Sequence, residues 1–303
     1  MKLRSVLAAL LAAAFLLLGG CSLFGLDIER PSDVYLQYDL SDAASEVAVD
    51  RGLHTAVSLV SIGNFSDKLT FGTIVKISSG VIVDREGYIL SSDTALRPTF
   101  TDPEDGVTYT GTWTSVYAVL PEIYGLGNTL YPLRAIDLDE ESGLSLFAFR
   151  DRFYYMDADG NAAEGFPVSA QISLSAEPGR ACFIVGNGIG DVVNEVDFPY
   201  VAEYMYISMT SGTVASRDGA GDYIIAAPVT PELVGGAVLD ENGYMIGLVS
   251  EKVQHTDESG NTVYAKNAVR AIGSQALTEY IDAVSARLQI AIPYTVAVLG
   301  GEA

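Results

Sequence analysis

The chain has 303 residues, with 39 acidic against 17 basic side chains and a net charge of −22. A surface of that sign repels nucleic acid and anionic lipid headgroups, so no nucleic-acid partner is expected. Glycine is abundant, at 30 residues, and 49% of the chain is apolar, which supplies ample material for a core.

In chain order, the first twenty residues read as a leader and not as part of the fold. Lys2 and Arg4 form a short basic region, and Val6 to Leu18 is an apolar run too short to serve comfortably as a permanent membrane span. The run ends in Leu18-Gly19-Gly20-Cys21, which resembles a bacterial lipobox: small residues admit the signal peptidase and the Cys21 thiol receives the lipid. The expectation is a lipoprotein signal peptide at 1–20 and a mature protein starting at Cys21. Lipids on Cys21, not a helix, would hold it to the outer face of a bacterial membrane. With Cys21 lipidated, Cys182 has no partner for an internal disulfide, and stability must come from burial.

Residues 21–40 read as a tether, partly extended. Ala44, Val47 and Val49 among acidic neighbours fit a short helix over Ser41 to Leu53, and Ala56 to Ile62 then alternates as a strand does. Strand patterns follow at Leu69–Ile77, Val81–Val83, Tyr88–Leu90, Val107–Leu120, Leu130–Ile136 and Leu144–Phe149. Four acidic-plus-Gly segments read as hairpin turns: Asp84 to Gly87, Asp157 to Gly160, Asp240 to Gly243 and Asp257 to Gly260. After an Asp-, Gly- and Ala-rich boundary at 155–170 the style repeats. Ala181–Asn187, Met205–Met209 leading into Ser211–Ser216, Tyr223–Ala227 and Tyr244–Ser250 read as strands. Ile272, Leu277, Tyr280, Ile281, Val284 and Leu288 recur at helical spacing, and Ile290 to Leu299 could add an edge strand. Short strands with such turns predict an all-β barrel or sandwich.

Three segments sharpen this. They are Ser79-Gly80-Val81-Ile82-Val83-Asp84 running on to Gly87 through Thr94, then Ser142-Gly143-Leu144-Ser145-Leu146, then Thr230-Pro231-Glu232-Leu233-Val234-Gly235-Gly236. Val185-Gly186-Asn187-Gly188, Thr210-Ser211-Gly212-Thr213-Val214, Ile225 to Pro231 and Asp240 to Gly247 stand between and after them. In this order, over residues 45–288, they resemble the HtrA/Deg branch of trypsin-like serine proteases. The resemblance implies a trypsin-like double β-barrel with a short N-terminal and a C-terminal helix. The first barrel would occupy 41–160, the second with its helix 161–290, and a tail or edge strand 291–303, with no peptide-binding PDZ domain after it.

In that family the three segments carry the catalytic His, Asp and Ser, and here the positions hold Thr94, Gly143 and Val234. Acyl transfer in this fold needs a hydroxyl nucleophile, a base to take its proton and a carboxylate to orient the base. Val234 has no heteroatom, Thr94 is not basic and Gly143 has no side chain. Glu232 replaces the glycine whose N–H lines the oxyanion hole, and it would set a carboxylate near a developing negative charge. The implied reading is a catalytically inactive homologue at the cell surface that binds an extended peptide or an envelope protein in the groove between barrels. The alternative is an active serine-type endopeptidase with a relocated nucleophile, with Ser211 and His54 the residues to test. A third reading is a structural envelope protein whose cleft is filled by its own side chains, such as Glu232 and Leu233.

Weaker signals do not change this. The two histidines, His54 and His255, read as surface or boundary residues. Gly186-Asn187-Gly188-Ile189-Gly190 precedes no predicted helix and is no phosphate loop. Asp157-Ala158-Asp159-Gly160-Asn161 with Glu164 misses calcium-loop spacing. No Cys/His cluster suits zinc, and no metal or cofactor is expected. Cys182 reads as a small buried hydrophobe. Tyr109, Trp113 and Tyr117 suggest one wetter sheet face, or ordinary barrel packing.

Overall fold

The computed structural model describes residues 33–36, 48–64, 73–95, 99–101, 108–110, 112–121, 124–125, 129–174, 176–188, 202–203, 205–230, 233–256 and 262–297. The described residues open with β1 (Asp33–Leu36) and α1 (Ala48–Thr55). Next come β2 (Ala56–Asn64), β3 (Thr73–Ile82), β4 (Tyr88–Ser92), a single 3₁₀ turn at Asp93–Ala95, β5 (Thr99–Thr101), β6 (Thr108–Thr110) and β7 (Thr112–Val119). β8 (Tyr131–Asp139), β9 (Leu144–Phe149), β10 (Arg152–Met156), β11 (Ala162–Glu164) and β12 (Gln171–Ile172) lead to the second half. There lie β13 (Ala181–Asn187), β14 (Ile207–Arg217), β15 (Tyr223–Ala226), β16 (Ala237–Asp240), β17 (Met245–Thr256) and β18 (Thr262–Gly273), then α2 (Ser274–Leu288) and β19 (Thr295–Val296).

Six strands close the first barrel in the order β2-β3-β4-β9-β8-β7. In the second half β16-β13-β14-β15-β18-β17 form a ring, closed because β16 pairs with both β13 and β17. Closure leaves neither ring with an open edge.

Each barrel is filled from its own strands. Val57, Leu59, Ile82, Ile89, Leu133, Phe147 and Phe149 fill the first; Cys182, Ile184, Val214, Ile225, Val238, Ile246 and Val269 fill the second. The alternate residues of the same strands face the other barrel. Ala56, Val81, Leu90, Leu144, Leu146, Val185, Leu239 and Leu248 make an interbarrel core that α2 covers with Leu277, Ile281 and Val284. This explains why Leu144–Phe149 is apolar or Ser throughout: every residue of β9 is buried, one face in the barrel and the other in the seam. Full burial of a side chain of this size contributes about 1.5–3 kcal/mol.

Several sequence expectations shift. The segment expected as a tether contains β1, which pairs in parallel with β10 and so satisfies backbone groups on that strand's free edge. The first helix, Ala48–Thr55 as described, overlaps the expected Ser41–Leu53 and runs on to Thr55. Leu69–Ile77 and Val81–Val83 were expected as two strands, yet β3 runs unbroken across Ser78-Ser79-Gly80. Ile272 belongs to β18, not to the C-terminal helix, which begins at Ser274 after Gly273. Ala162–Glu164 pairs back onto β10, so the crossing into the second barrel begins only after it. Part of Ile290–Leu299 does form a strand, β19, in parallel with β12 of the crossing segment. Among the described residues no helix is long and apolar enough to cross a membrane.

Candidate functional site at the interbarrel seam

Hydrogen bonds and β4 tie together the three turns that carry Thr94, Gly143 and Val234. β4 delivers its chain into the 3₁₀ turn of Asp93–Ala95, and the Asp93 N–H donates to the Gly143 carbonyl at 2.8 Å. Gly143 closes the β8–β9 turn at φ +73°, with its N–H on the Asp139 carbonyl at 3.0 Å. A side chain there would meet only Ile272 Cδ1, at 3.8 Å, so the left-handed backbone and not lack of room favours glycine.

Val234 joins from the second barrel. Its carbonyl accepts from the Ser79 N–H at 2.9 Å, and the Ser79 carbonyl in turn accepts from Ser91 Oγ at 2.6 Å. Ser145 Oγ donates to the Ser92 carbonyl at 2.7 Å, tying β9 to the same strand one residue before Asp93. Gly235 makes the approach possible. Its φ is +89°, and a Cβ there would lie 2.1 Å from the Ser79 carbonyl oxygen and 2.5 Å from Ser91 Oγ. Hydrogen bonds thus link Val234 to Ser79 and Ser79 to Ser91, the backbone of β4 carries on from Ser91 to Asp93, and Asp93 bonds to Gly143.

The network extends into the second barrel. Asn187 N–H donates to Ser79 Oγ, and Ser58 Oγ donates to Asn187 Oδ1, both at 2.8 Å. Ser58, Ser79, Ser91, Ser92, Ser145 and Asn187 are all at most 1% exposed. Buried hydroxyls need partners, and these find them across the seam. The sequence reading did not single them out as a group. Their signal is serine at inward positions of strands whose other inward positions are aliphatic.

The remaining named residues fall as follows. The Thr94 side chain, Glu232, Cys21 and the His255 side chain lie outside the described residues, as do the Tyr109 and Trp113 side chains and the Asp257–Gly260 turn. Val234 is half-buried against the second barrel's core, and Leu233 sits inside that core. Ser211 is exposed on β14, opposite Phe183 on β13. His54 is a correction: it was expected at a surface or boundary but is buried at the end of α1. Its Nδ1 donates to the Asp50 carbonyl, and its own carbonyl accepts from Tyr124 Oη at 2.6 Å. The tight passage from helix into β2 encloses it. Asp157 Oδ1 accepts from Asp159 N at 3.0 Å and Asn161 N at 2.8 Å, the bonding of a turn. Among the described residues no three His, Cys, Asp or Glu side chains converge as a metal site requires.

Two of the ionisable groups with displaced proton affinities are Cys182 and Lys76. Burial pushes the Cys182 thiol up to about 11, which keeps it a protonated hydrophobe. Burial pushes the Lys76 ammonium down to about 8, while the Asp93 carboxylate pulls it up. Lys76 stands opposite Ser61 in the β2–β3 ladder, and Ser61 Oγ donates to the Ala95 carbonyl at 2.8 Å. The amine is therefore beside the turn that carries Thr94.

No protein-family model matches the sequence, and no curated protein matches it. Solved structures do match, among them one described as "HtrA-type protease AlgWS227A with decapeptide". That match has a TM-score of 0.54 at 16% identity and covers 80% of this chain and 67% of the other. Two closed six-stranded barrels with a C-terminal helix, in this arrangement, are a trypsin-like double β-barrel.

Proposed function

We propose that this chain is a catalytically inactive homologue of trypsin-like proteases that binds extended peptide or protein segments in the groove between its barrels, lipid-anchored through Cys21 at a bacterial cell surface. One observation carries the reading. Hydrogen bonds and β4 link the turns bearing Thr94, Gly143 and Val234, which supports reading them as the family's three catalytic positions, two of them held by a carbon-only side chain and a bare backbone. The nearby hydroxyls of Ser79 and Ser91 are buried and engaged in holding the seam, which leaves them poor substitutes for a nucleophile. Loss of several cooperating catalytic groups together leaves little residual rate. Peptide binding draws support from the solved HtrA-type protease of the same fold, which is described with a decapeptide.

The test combines chemistry and binding on the purified chain. A fluorophosphonate probe and a casein digest should give no labelling and no cleavage above a denatured control. Fluorescence anisotropy with labelled decapeptides should show saturable binding. Hydrolysis that survives purification and disappears in Ser211→Ala, His54→Ala or Lys76→Met would replace this reading with that of an active enzyme using relocated groups. Absence of any peptide binding would reduce it to a structural role. Anchoring is checked separately by metabolic labelling with an alkynyl fatty acid, which Cys21→Ser should abolish.

A further inference from the structure

Away from the seam site, one cavity runs against the charge of the molecule. Its volume is about 420 Å³, and it lies where α1, the β3–β4 turn, the segment crossing between barrels, the β16–β17 turn and β19 come together. Arg51, Thr55, Arg85, Ser169, Gln171 and Thr295 supply its polar side chains, and none of the described residues lining it is acidic. In a chain with 39 Asp and Glu against 17 Lys and Arg, two guanidiniums on one acid-free wall form a focused positive spot.

Those two guanidiniums are also held differently from several others. Arg152, Arg180, Arg270 and Arg287 each lie within salt-bridge distance of a carboxylate. Among the described residues Arg51 and Arg85 have no such partner. Arg51 Nη1 donates to the Asn242 carbonyl at 3.2 Å, and its guanidinium stands 4.9 Å from the Tyr244 ring centroid. Arg85 Nη2 donates to the Tyr155 hydroxyl, with its guanidinium 5.8 Å from the Tyr155 ring centroid. Carbonyl, hydroxyl and ring contacts orient a guanidinium without neutralising it. Each has five N–H donors, and most remain available. The backbone around them is fixed as well: Phe166 N–H donates to the Arg85 carbonyl at 2.7 Å, and Ala170 N–H to the Ile82 carbonyl at 2.8 Å.

We propose that this cavity is a binding site for a small organic anion bearing carboxylate or phosphate oxygens. Planar guanidiniums recognise both groups through paired N–H donors. The volume lies within the usual range for small-molecule pockets, roughly 300–1,000 Å³, and exceeds what a bare inorganic ion fills. Arg85 belongs to the first barrel, and Arg51 reaches the β16–β17 turn of the second, so the bound anion bridges the two. The inference does not depend on the peptide-binding reading, because none of its residues lies on the Val234–Gly143 network.

The experiment is thermal unfolding of the purified chain in citrate, in glycerol phosphate, and in sodium chloride at matched ionic strength. Citrate or glycerol phosphate should raise Tm beyond the chloride control, and the larger shift identifies carboxylate or phosphate as the preferred group. Arg51→Gln and Arg85→Gln should each weaken the fitted affinity about tenfold or more, the usual loss with a charge-assisted pair. Arg180→Gln, which removes a guanidinium already paired with Glu241, should leave the response intact. Arg85 is exposed, so its variant keeps the test decisive even if Arg51→Gln unfolds. Equal shifts in chloride, or a full response retained in Arg85→Gln, would overturn the proposal.

Discussion

The seam between the barrels has an apolar half and a polar half, and they fix the molecule in different ways. Leu90, Leu144, Leu146, Val185, Leu239 and Leu248 under α2 hold by area, which tolerates small slippage between surfaces. Ser79, Ser91, Ser145 and Asn187 hold by direction, because each bond accepts only one arrangement of donor and acceptor. The polar half is the one that ties the turns of Thr94, Gly143 and Val234 to one another. Gly143 and Val234 carry no heteroatom in a side chain and join this network through backbone atoms.

Breaking the polar half at its closest contact should have the largest effect. Gly235→Ala forces a Cβ against the Ser79 carbonyl in a left-handed backbone, and a loss of about 4 kcal/mol or more is expected by urea unfolding. Leu146→Ala removes a fully buried side chain from the apolar half and should cost about 3 kcal/mol. Ser79→Ala leaves the buried Asn187 N–H without its acceptor and should cost about 2 kcal/mol, in spite of deleting only one atom. If Ser79→Ala were neutral, the directional account of the polar half would be wrong.

The smallest effect lies outside the seam and has the opposite sign. Asp84 is buried in the β3–β4 turn. Its Oδ1 accepts from the Tyr88 N–H at 2.8 Å, while Oδ2 has no hydrogen-bond partner. Burial raises the carboxyl to about 6, against the lowering pull of the Tyr88 N–H. A folded-state value above the ordinary carboxylate value of 3.8 means that the unfolded chain gives up this proton first. This group's contribution therefore falls as pH rises from about 4 to about 6 and stays unfavourable above that. Asp84→Asn should stabilise the protein by about 1 kcal/mol at pH 7.5, and the gain should vanish near pH 4. Paired denaturation curves at the two pH values check both the sign and the window.

What could be read from the chain was local. Asp84, Asp157 and Asp240 each bond through Oδ1 to the N–H four residues on, at Tyr88, Asn161 and Tyr244, and Gly87, Gly160 and Gly243 take positive φ. Asp218 does the same to Asp222 in the β14–β15 turn, and the same spacing could have found it. A short run of residues contains all the atoms of such a turn, so its sequence fixes it. Ile272 went astray for a related reason: a strand that passes straight into a helix through Gly273 leaves no local mark at its last apolar residue. β18 was missed with it.

The amino-acid order alone set the residue types at 94, 143 and 234, the turn chemistry, and the two-faced apolar strands that demand a second layer. Only the folded molecule decided which serines meet which carbonyls, and that Arg51 and Arg85 share a cavity though far apart in sequence. The bonds from Ser79 to Val234 and from Asn187 to Ser79 join positions on different barrels. Their geometry exists only after both rings have closed and their apolar faces have docked, and no local spacing encodes the result of that docking.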